Sequence, residues 1–479
     1  MPRRVLVIGL DGVSFKTIIQ GFESNQLPVM SSLVKDGYMT QMQSHYIPQT
    51  PESIGCFVTG KNPGETGLFG WYRYPNGTPR LVTSEDWTAP FWDYLGRRTV
   101  IIGLPLTYPA KPINGALVGS AHFSPSLRHF TYPENLAEIA KEYGYVPPEN
   151  GFQAASDVLR ATGRSLLAEE RLASHLLSSA PWELAIVYFQ QTDIISHAVG
   201  MVSSAVSEQY FRTLIVELVL RQIDEWLGGL LRLLESNVDA ILFSDHGFGP
   251  YEYAVNLSAL LEEIGLSVPR KDEERFSLFG EDQPDVSRTG LFVSDHLNRA
   301  GLRIVGCMKD DANFEQRAKC KLEEALSTLK DSNGSSLVAG IRTCEQLYHG
   351  QKLDEAPDFF VEFDRSAMES KDFDTSCIKK RSFGHEVEGF MLGHVCDSNR
   401  PSGIFAEVSY RTYDLAATVL ALFGMSIPDD FDGRPFDAVS KTRGLLERAV
   451  HTEERSERRG LTKEEEKRII ERLKQLGYV

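Results

Sequence analysis

Four short stretches of this 479-residue chain gather side chains that can hold a cation or attack an electrophile. Asp11 ends the apolar run Val5–Leu10, Asp193 follows the run Leu184–Phe189 with His197 four residues on, and Asp245-His246 follows Ala240–Phe243. A single aspartate after a strand ordinarily serves a turn or a helix cap. An Asp and a His four apart ordinarily share a helical turn as a surface contact. An Asp-His pair leaving a buried strand is harder to explain that way. Three acidic strand ends gathered in one cleft would repel one another unless cations stood between them. Carboxylate and imidazole ligands with no thiolate suit zinc, manganese or iron better than calcium. The nucleophile candidate is Thr50, in Pro48-Gln-Thr-Pro-Glu-Ser. Thr followed by Pro is a common helix start, with the threonine as N-cap. The same geometry sets a hydroxyl beside free backbone N–H groups, where phosphate oxygens bind well. A metal ion on that hydroxyl would lower its pKa and give an alkoxide near neutral pH.

Those residues need a scaffold that brings distant strand ends together. Short apolar runs alternating with helical spacing predict an α/β protein with a largely parallel sheet, in which ligands bind beyond the carboxyl ends of the strands. Candidate buried strands are Val5–Leu10, Val100–Gly103, Leu184–Phe189, Ala240–Phe243 and Phe359–Phe363, and helical spacing marks Ala155–Ser178 and Glu208–Ser236. Residues 1–250 and 356–440 form the expected catalytic core, and residues 251–355, with the polar loop Arg270–Arg288, the expected insertion or cap. Residues 441–479 are dense in charge, and Thr462-Lys-Glu-Glu there suits a capping box opening a terminal helix with Ile469, Leu473 and Leu476 inward.

The net charge of −16 disfavours nucleic-acid polymers, though a metal ion can overturn the field in one cleft and leave a small phosphorylated molecule possible. No stretch has the length of a membrane span, and the apolar run at the start is too short for a secretory segment. Six scattered cysteines read as reduced structural thiols. The expected compartment is the cytoplasm; nothing indicates an oligomeric state.

The order Asp11, Thr50, Asp193-x-x-x-His197, Asp245-His246 and a later Gly-His resembles the type I phosphodiesterase/nucleotide pyrophosphatase family, of the alkaline phosphatase superfamily. Thr50-Pro-x(7)-Thr-Gly-Lys-Asn-Pro-Gly is similar to the family's nucleophile helix. Ser244-Asp-His-Gly-Phe-Gly-Pro, Leu106-Thr-Tyr-Pro, the Asp414-Leu-Ala-Ala-Thr-Val-Leu stretch and the closing Arg472-Leu-x-x-Leu-Gly-Tyr are similar too. The resemblance implies an alkaline phosphatase-like fold and two divalent metal ions, most simply zinc. One would lie on Asp11, Thr50, Asp245 and His246; the other on Asp193, His197 and a third histidine, either His385 or His394. It implies phosphodiester or phosphoanhydride hydrolysis through a phosphothreonine at Thr50, with Ser53 and Lys61 lining the substrate. Phosphomonoesterase, phosphonate hydrolase, mutase and a non-catalytic ligand-binding role are the alternatives. Ser53 stands where extracellular relatives carry an Asn, and Thr66 where the family often has a His. Ser294-Asp295-His296 has no motif partners and reads as structural.

Overall fold

In the computed structural model the described residues are 3–74, 79–148, 154–202, 206–234, 238–268, 289–295, 299–304, 308, 311, 313–369, 378–395, 402–436, 460–476 and 478. The loop Arg270–Arg288, His296 and the chain from 437 to 459 fall outside them, with Cys307, Cys377 and Cys396. A nine-stranded sheet runs through the centre. In chain order its strands are β1 (Arg4–Leu10), β2 (Tyr38–Gln43), β3 (Thr99–Ile102), β4 (Gly115–Val118), β5 (Thr131–Tyr132), β6 (Leu184–Phe189), β7 (Val238–Phe243), β8 (Glu388–His394) and β9 (Gly403–Tyr410). In space the order is β9-β2-β8-β7-β1-β6-β3-β4-β5. Five adjacent strands, β7-β1-β6-β3-β4, are all parallel, while β8 runs antiparallel to both β2 and β7.

The central strands are apolar on both faces, as strands covered by helices on both sides must be. β6 and β7 are buried at every position. Alternate residues divide into two cores. Leu6, Ile8 and Leu10 face one, with Ala185, Val187 and Phe189 beside them; Val5 and Val7 face the other, with Ile186 and Tyr188. Helix α1 (Thr50–Thr59) packs on the second face, and α2 (Ala155–Ser179) covers the first. Helix α3 (Gln191–Val202) leaves β6 almost at once, and α4 (Thr412–Leu422) lies against α1. The stretch from Glu208 to Leu234 is helical throughout but carries a π turn at Val216–Leu220.

Phe359–Phe363, expected among the central strands, lies elsewhere. It pairs antiparallel with both Ala300–Ile304 and Val338–Thr343 in a separate four-stranded sheet, backed by the helix Phe314–Ser327 and holding its own apolar cluster. A run buried on both faces carries no mark of which sheet it joins. The terminal helix α5 (Lys463–Leu476) starts with a closed capping box: the Thr462 N–H donates to Glu465 Oε2 at 2.9 Å and the Glu465 N–H to Thr462 Oγ1 at 3.2 Å. Ile469, Ile470, Leu473 and Leu476 are its buried face. No helix among the described residues is long and apolar enough to cross a membrane.

Candidate metal and phosphoryl-transfer site

β7, β1 and β6 are neighbours, so their carboxyl ends deliver Asp245-His246, Asp11 and the first turn of α3 side by side, one strand spacing apart. Asp193 lies in that first turn and His197 one turn later. Gly12 makes the junction possible. Its φ is +66°, and a Cβ there would strike the Asp193 carboxylate. The Val13 N–H donates to Ser244 Oγ at 2.8 Å, and Ser244 Oγ donates to the His246 carbonyl at 2.6 Å, tying the first and seventh strand ends together.

Thr50 is the first residue of α1. Gln49, not Thr50, takes the cap position, with extended backbone and no side-chain cap bond. The threonine hydroxyl is thereby free to turn inward: Thr50 Oγ1 donates to Asp11 Oδ1 at 3.3 Å and stands 3.5 Å from His246 Nε2. His246 Nε2 is 3.3 Å from Asp11 Oδ1 and 3.7 Å from Asp245 Oδ2. On the other side His197 Nε2 lies 3.3 Å from Asp193 Oδ2, and His385 Nε2 lies 3.0 Å from His197 Nε2 and 3.8 Å from Asp193 Oδ1. His385 arrives on the strand Ile378–Glu386, paired with Gly247–Val255 so that His385 sits opposite Phe248. Its ring stacks on His246, 3.9 Å between centroids and 15° apart. His394 pairs with Ala240, at the far end of β7, and does not reach the cluster.

All seven side chains are at least nine-tenths buried. Burial and the Asp245 charge push the Asp11 carboxyl well above its usual range, and burial pushes Asp245 up as well. For Asp193, desolvation is outweighed by His197 and His385, and its carboxyl is held below the usual range. Burial alone would lower the pKa of His246, but the surrounding aspartates, Asp245 foremost, raise it to about 10. Burial and the neighbouring His246 charge hold His385 well down.

The donor set fits divalent cations. Asp11 Oδ2 and both carboxylate oxygens of Asp193 and of Asp245 are buried without a hydrogen-bond partner, an arrangement that costs several kcal/mol per charge unless something compensates it. Two groups have donor atoms close enough to share one ion each: Asp193, His197 and His385; and Asp11, Asp193 and His246. The histidines are oriented for the same purpose. His246 Nδ1 faces the Gly247 carbonyl at 3.0 Å, and His385 Nδ1 faces the Pro48 carbonyl at 2.6 Å. A carbonyl partner puts the proton on Nδ1 and leaves the Nε2 lone pair aimed at the cluster, the arrangement in which imidazole binds metal.

The two expected substrate-lining residues lie further along the chain from Thr50. Ser53 lies one turn into α1 and is fully buried, its hydroxyl 3.2 Å from that of Ser44. Lys61 lies past the far end of α1 and is paired with Asp430 at 2.6 Å. The helix itself, ten residues from Thr50 to Thr59, separates Lys61 from Thr50 by about 13 Å along its axis. Two tyrosines join the site without a warning in the sequence. Tyr188, on β6, sends its hydroxyl toward Asp245. Tyr478 packs its ring 5.1 Å from His197 and 6.5 Å from His385. Neither is distinguishable by residue type from a core tyrosine.

Residues 5–367 match the family described as type I phosphodiesterase / nucleotide pyrophosphatase. A search of the curated proteins finds no match. Among solved structures, human ectonucleotide pyrophosphatase / phosphodiesterase 5 is similar over 90% of this chain and 97% of its own, at 14% identity and a TM-score of 0.55. The murine counterpart, in an inactive form with AMP, covers 89% and 96% at 14% identity and a TM-score of 0.54. Phosphonoacetate hydrolase from Sinorhizobium meliloti 1021, with phosphonoformate, covers 87% and 94% at 14% identity and a TM-score of 0.57. Identity that low shows a common fold. The match through three quarters of the sequence shows more: this chain belongs to the type I phosphodiesterase/nucleotide pyrophosphatase family.

Proposed function

We propose that the protein hydrolyses a phosphodiester or phosphoanhydride bond in a small phosphorylated substrate, through a covalent phosphothreonine at Thr50, with two divalent cations in the cluster. The observation that carries the reading is the placement of Thr50 Oγ1. A hydroxyl at a helix start stands 3.3 Å from Asp11 and 3.5 Å from His246, at the edge of a cluster whose three aspartates are wholly buried. Asp11, Asp245 and His246 would hold one cation beside Thr50; Asp193, His197 and His385 would hold the other. Zinc fits this donor set, and manganese or iron can replace it. Bound there, the cations supply Lewis-acid charge that acidifies the threonine hydroxyl and offsets charge developing on the transferred group.

The chain's own residues do the rest. Thr50 presents its oxygen to phosphorus, and the proton leaves along the hydrogen bond toward Asp11. The Thr50 Oγ–P bond forms as the bond from phosphorus to the leaving oxygen breaks, and the leaving oxygen takes up a proton. Water then attacks phosphorus, the Oγ–P bond breaks, and Thr50 recovers its proton. The start of α1 would add the positive end of its helix dipole beside the transferred group. Two solved neighbours are bound to AMP and to phosphonoformate, which supports a small phosphorylated ligand.

A diester is favoured over a monoester by the arginines. A monoester's two charged oxygens call for a bidentate clamp. Arg73 and Arg80, the first arginines after Thr50, are both engaged elsewhere: Arg73 with Asp86 at 3.0 Å and with Glu355, Arg80 with Asp86. Arg128 is exposed. The test is the ratio of hydrolysis rates for bis-p-nitrophenyl phosphate and p-nitrophenyl phosphate on zinc- or manganese-loaded protein. A ratio well above one is expected; a ratio below one would overturn the diester reading in favour of a monoesterase, phosphonate hydrolase or mutase.

A further inference from the structure

On the far side of the strand that carries His385 lies a buried arginine. Arg212, on the helix Glu208–Ile215, is 2% exposed. A guanidinium so placed needs partners for its charge and for each of its N–H groups. All five of those groups are engaged. Nε and Nη2 donate to Glu208 Oε1 at 3.1 and 2.8 Å, and Nη2 also donates to Glu386 Oε1 at 3.1 Å. Nη1 donates to Thr17 Oγ1 at 3.0 Å and to Ser14 Oγ. A planar fork saturated in this way has one position, and it fixes the groups it holds.

Those groups belong to two ligand-bearing segments. Ser14 follows closely on Asp11, and its hydroxyl caps the helix Phe15–Glu23 by accepting from the Thr17 N–H at 3.2 Å. Glu386 directly follows His385. Successive side chains leave opposite faces of a strand, so His385 turns to the cluster, with Phe248 beside it, and Glu386 turns to Arg212. The two glycines after His246 make room for this. A Cβ at Gly249 would stand 2.4 Å from Glu386 Oε1, and one at Gly247 would stand 2.8 Å from Ser14 Cβ and 3.1 Å from Glu386 Cβ. Next to Arg212, Phe211 packs 4.9 Å from Phe383 and 5.9 Å from Phe248, whose ring lies 4.7 Å from His197. A buried ion pair is often no more stabilising than apolar side chains of the same volume. What an arginine supplies here, and a leucine would not, is a fixed geometry.

We propose that Arg212 is a positioning residue: by tying Glu386 to Ser14 it holds His385 against the Asp11 turn and sets the spacing of the cation ligands, touching neither cation nor substrate. This rests on the metal-site reading above.

The test measures zinc binding to the full chain by competition with a chromogenic chelator, which needs no turnover. Wild type is compared with Arg212→Met, Glu386→Ala and the double variant. Each single variant should bind zinc about 10- to 100-fold more weakly. Because both act through one contact, the double variant should lose little more than Arg212→Met alone. Folded variants that bind as wild type does, with only the unfolding temperature lowered, overturn the proposal; so do losses that simply add. Should Arg212→Met fail to fold, Glu386→Ala against wild type carries the same comparison. If wild type binds no zinc, the metal reading fails on that result, and crystal structures of wild type and a folded variant still decide the role of Arg212. The stacking of His385 on His246, 3.9 Å between centroids, should open in the variant; an unmoved ring overturns the proposal.

Discussion

His197 and His385 aim their Nε2 atoms at each other across 3.0 Å. With His385 held neutral by burial, and its Nδ1 proton given to the Pro48 carbonyl, its lone pair faces His197 and needs a proton or a cation in between. Asp193 faces that same space and also the one beside His246, so a single carboxylate borders both candidate cation positions. Asp193→Asn should therefore lower bound metal by at least one equivalent per chain, read by elemental analysis after gel filtration; unchanged stoichiometry would contradict the assignment. Thr50→Ala should cut turnover by a factor on the order of 10³ or more while metal content stays near wild type, because the carboxylates and imidazoles remain. Turnover near wild type would rule out the covalent route.

At the scale of the elements, α2 carries a titrating group of its own. Glu169 is buried, accepts from Gln191 Nε2 at 2.8 Å, and burial pushes its carboxyl up to about 8 from the ordinary 4.5. Between those values the folded chain holds a proton that the unfolded chain has lost, so the contribution of Glu169 to stability falls as pH rises through that window. Glu169→Gln should remove this slope: thermal unfolding of the variant should gain on wild type from pH 4.5 to 8, and parallel curves would refute the account. On α5, Arg472→Met takes the donor from four backbone carbonyls, those of Ala121, His122, Ser124 and Pro148. It should weaken docking of the helix by on the order of 3 kcal/mol, seen as faster amide exchange across Lys463–Leu476 with the central sheet unchanged. These elements were legible to different degrees. The strands that deliver Asp11, Asp193 and Asp245-His246 announced themselves because a short, wholly apolar run ending in a polar residue has few other uses. Phe359–Phe363 read the same way yet joined another sheet, since burial on both faces does not encode a partner. Lys61 was close to Thr50 only in sequence. Tyr188 and Tyr478 were invisible because a site tyrosine and a core tyrosine have the same type and the same burial.

Across the whole molecule, a net charge of −16 surrounds a centre in which three aspartates are themselves buried. Cations bound there would therefore stabilise the fold as well as the chemistry. Metal at a thousandfold above its dissociation constant adds about 4 kcal/mol to stability, so chelation should lower the unfolding temperature and zinc or manganese restore it. Equal unfolding temperatures with and without chelator would argue against a metal centre in this cleft. Three adjacent parallel strands, an inserted helix start and a returning strand all converge on one threonine hydroxyl, and the account stands on what that oxygen does. The most direct measurement is acid quenching of metal-loaded protein during turnover of bis-p-nitrophenyl phosphate, followed by peptide mass spectrometry. The account predicts one esterified phosphoryl group (the p-nitrophenyl phosphoryl adduct from this diester) on the peptide carrying Thr50, absent in Thr50→Ala. Steady turnover with that peptide unmodified at every quench time, and undiminished in Thr50→Ala, would contradict it.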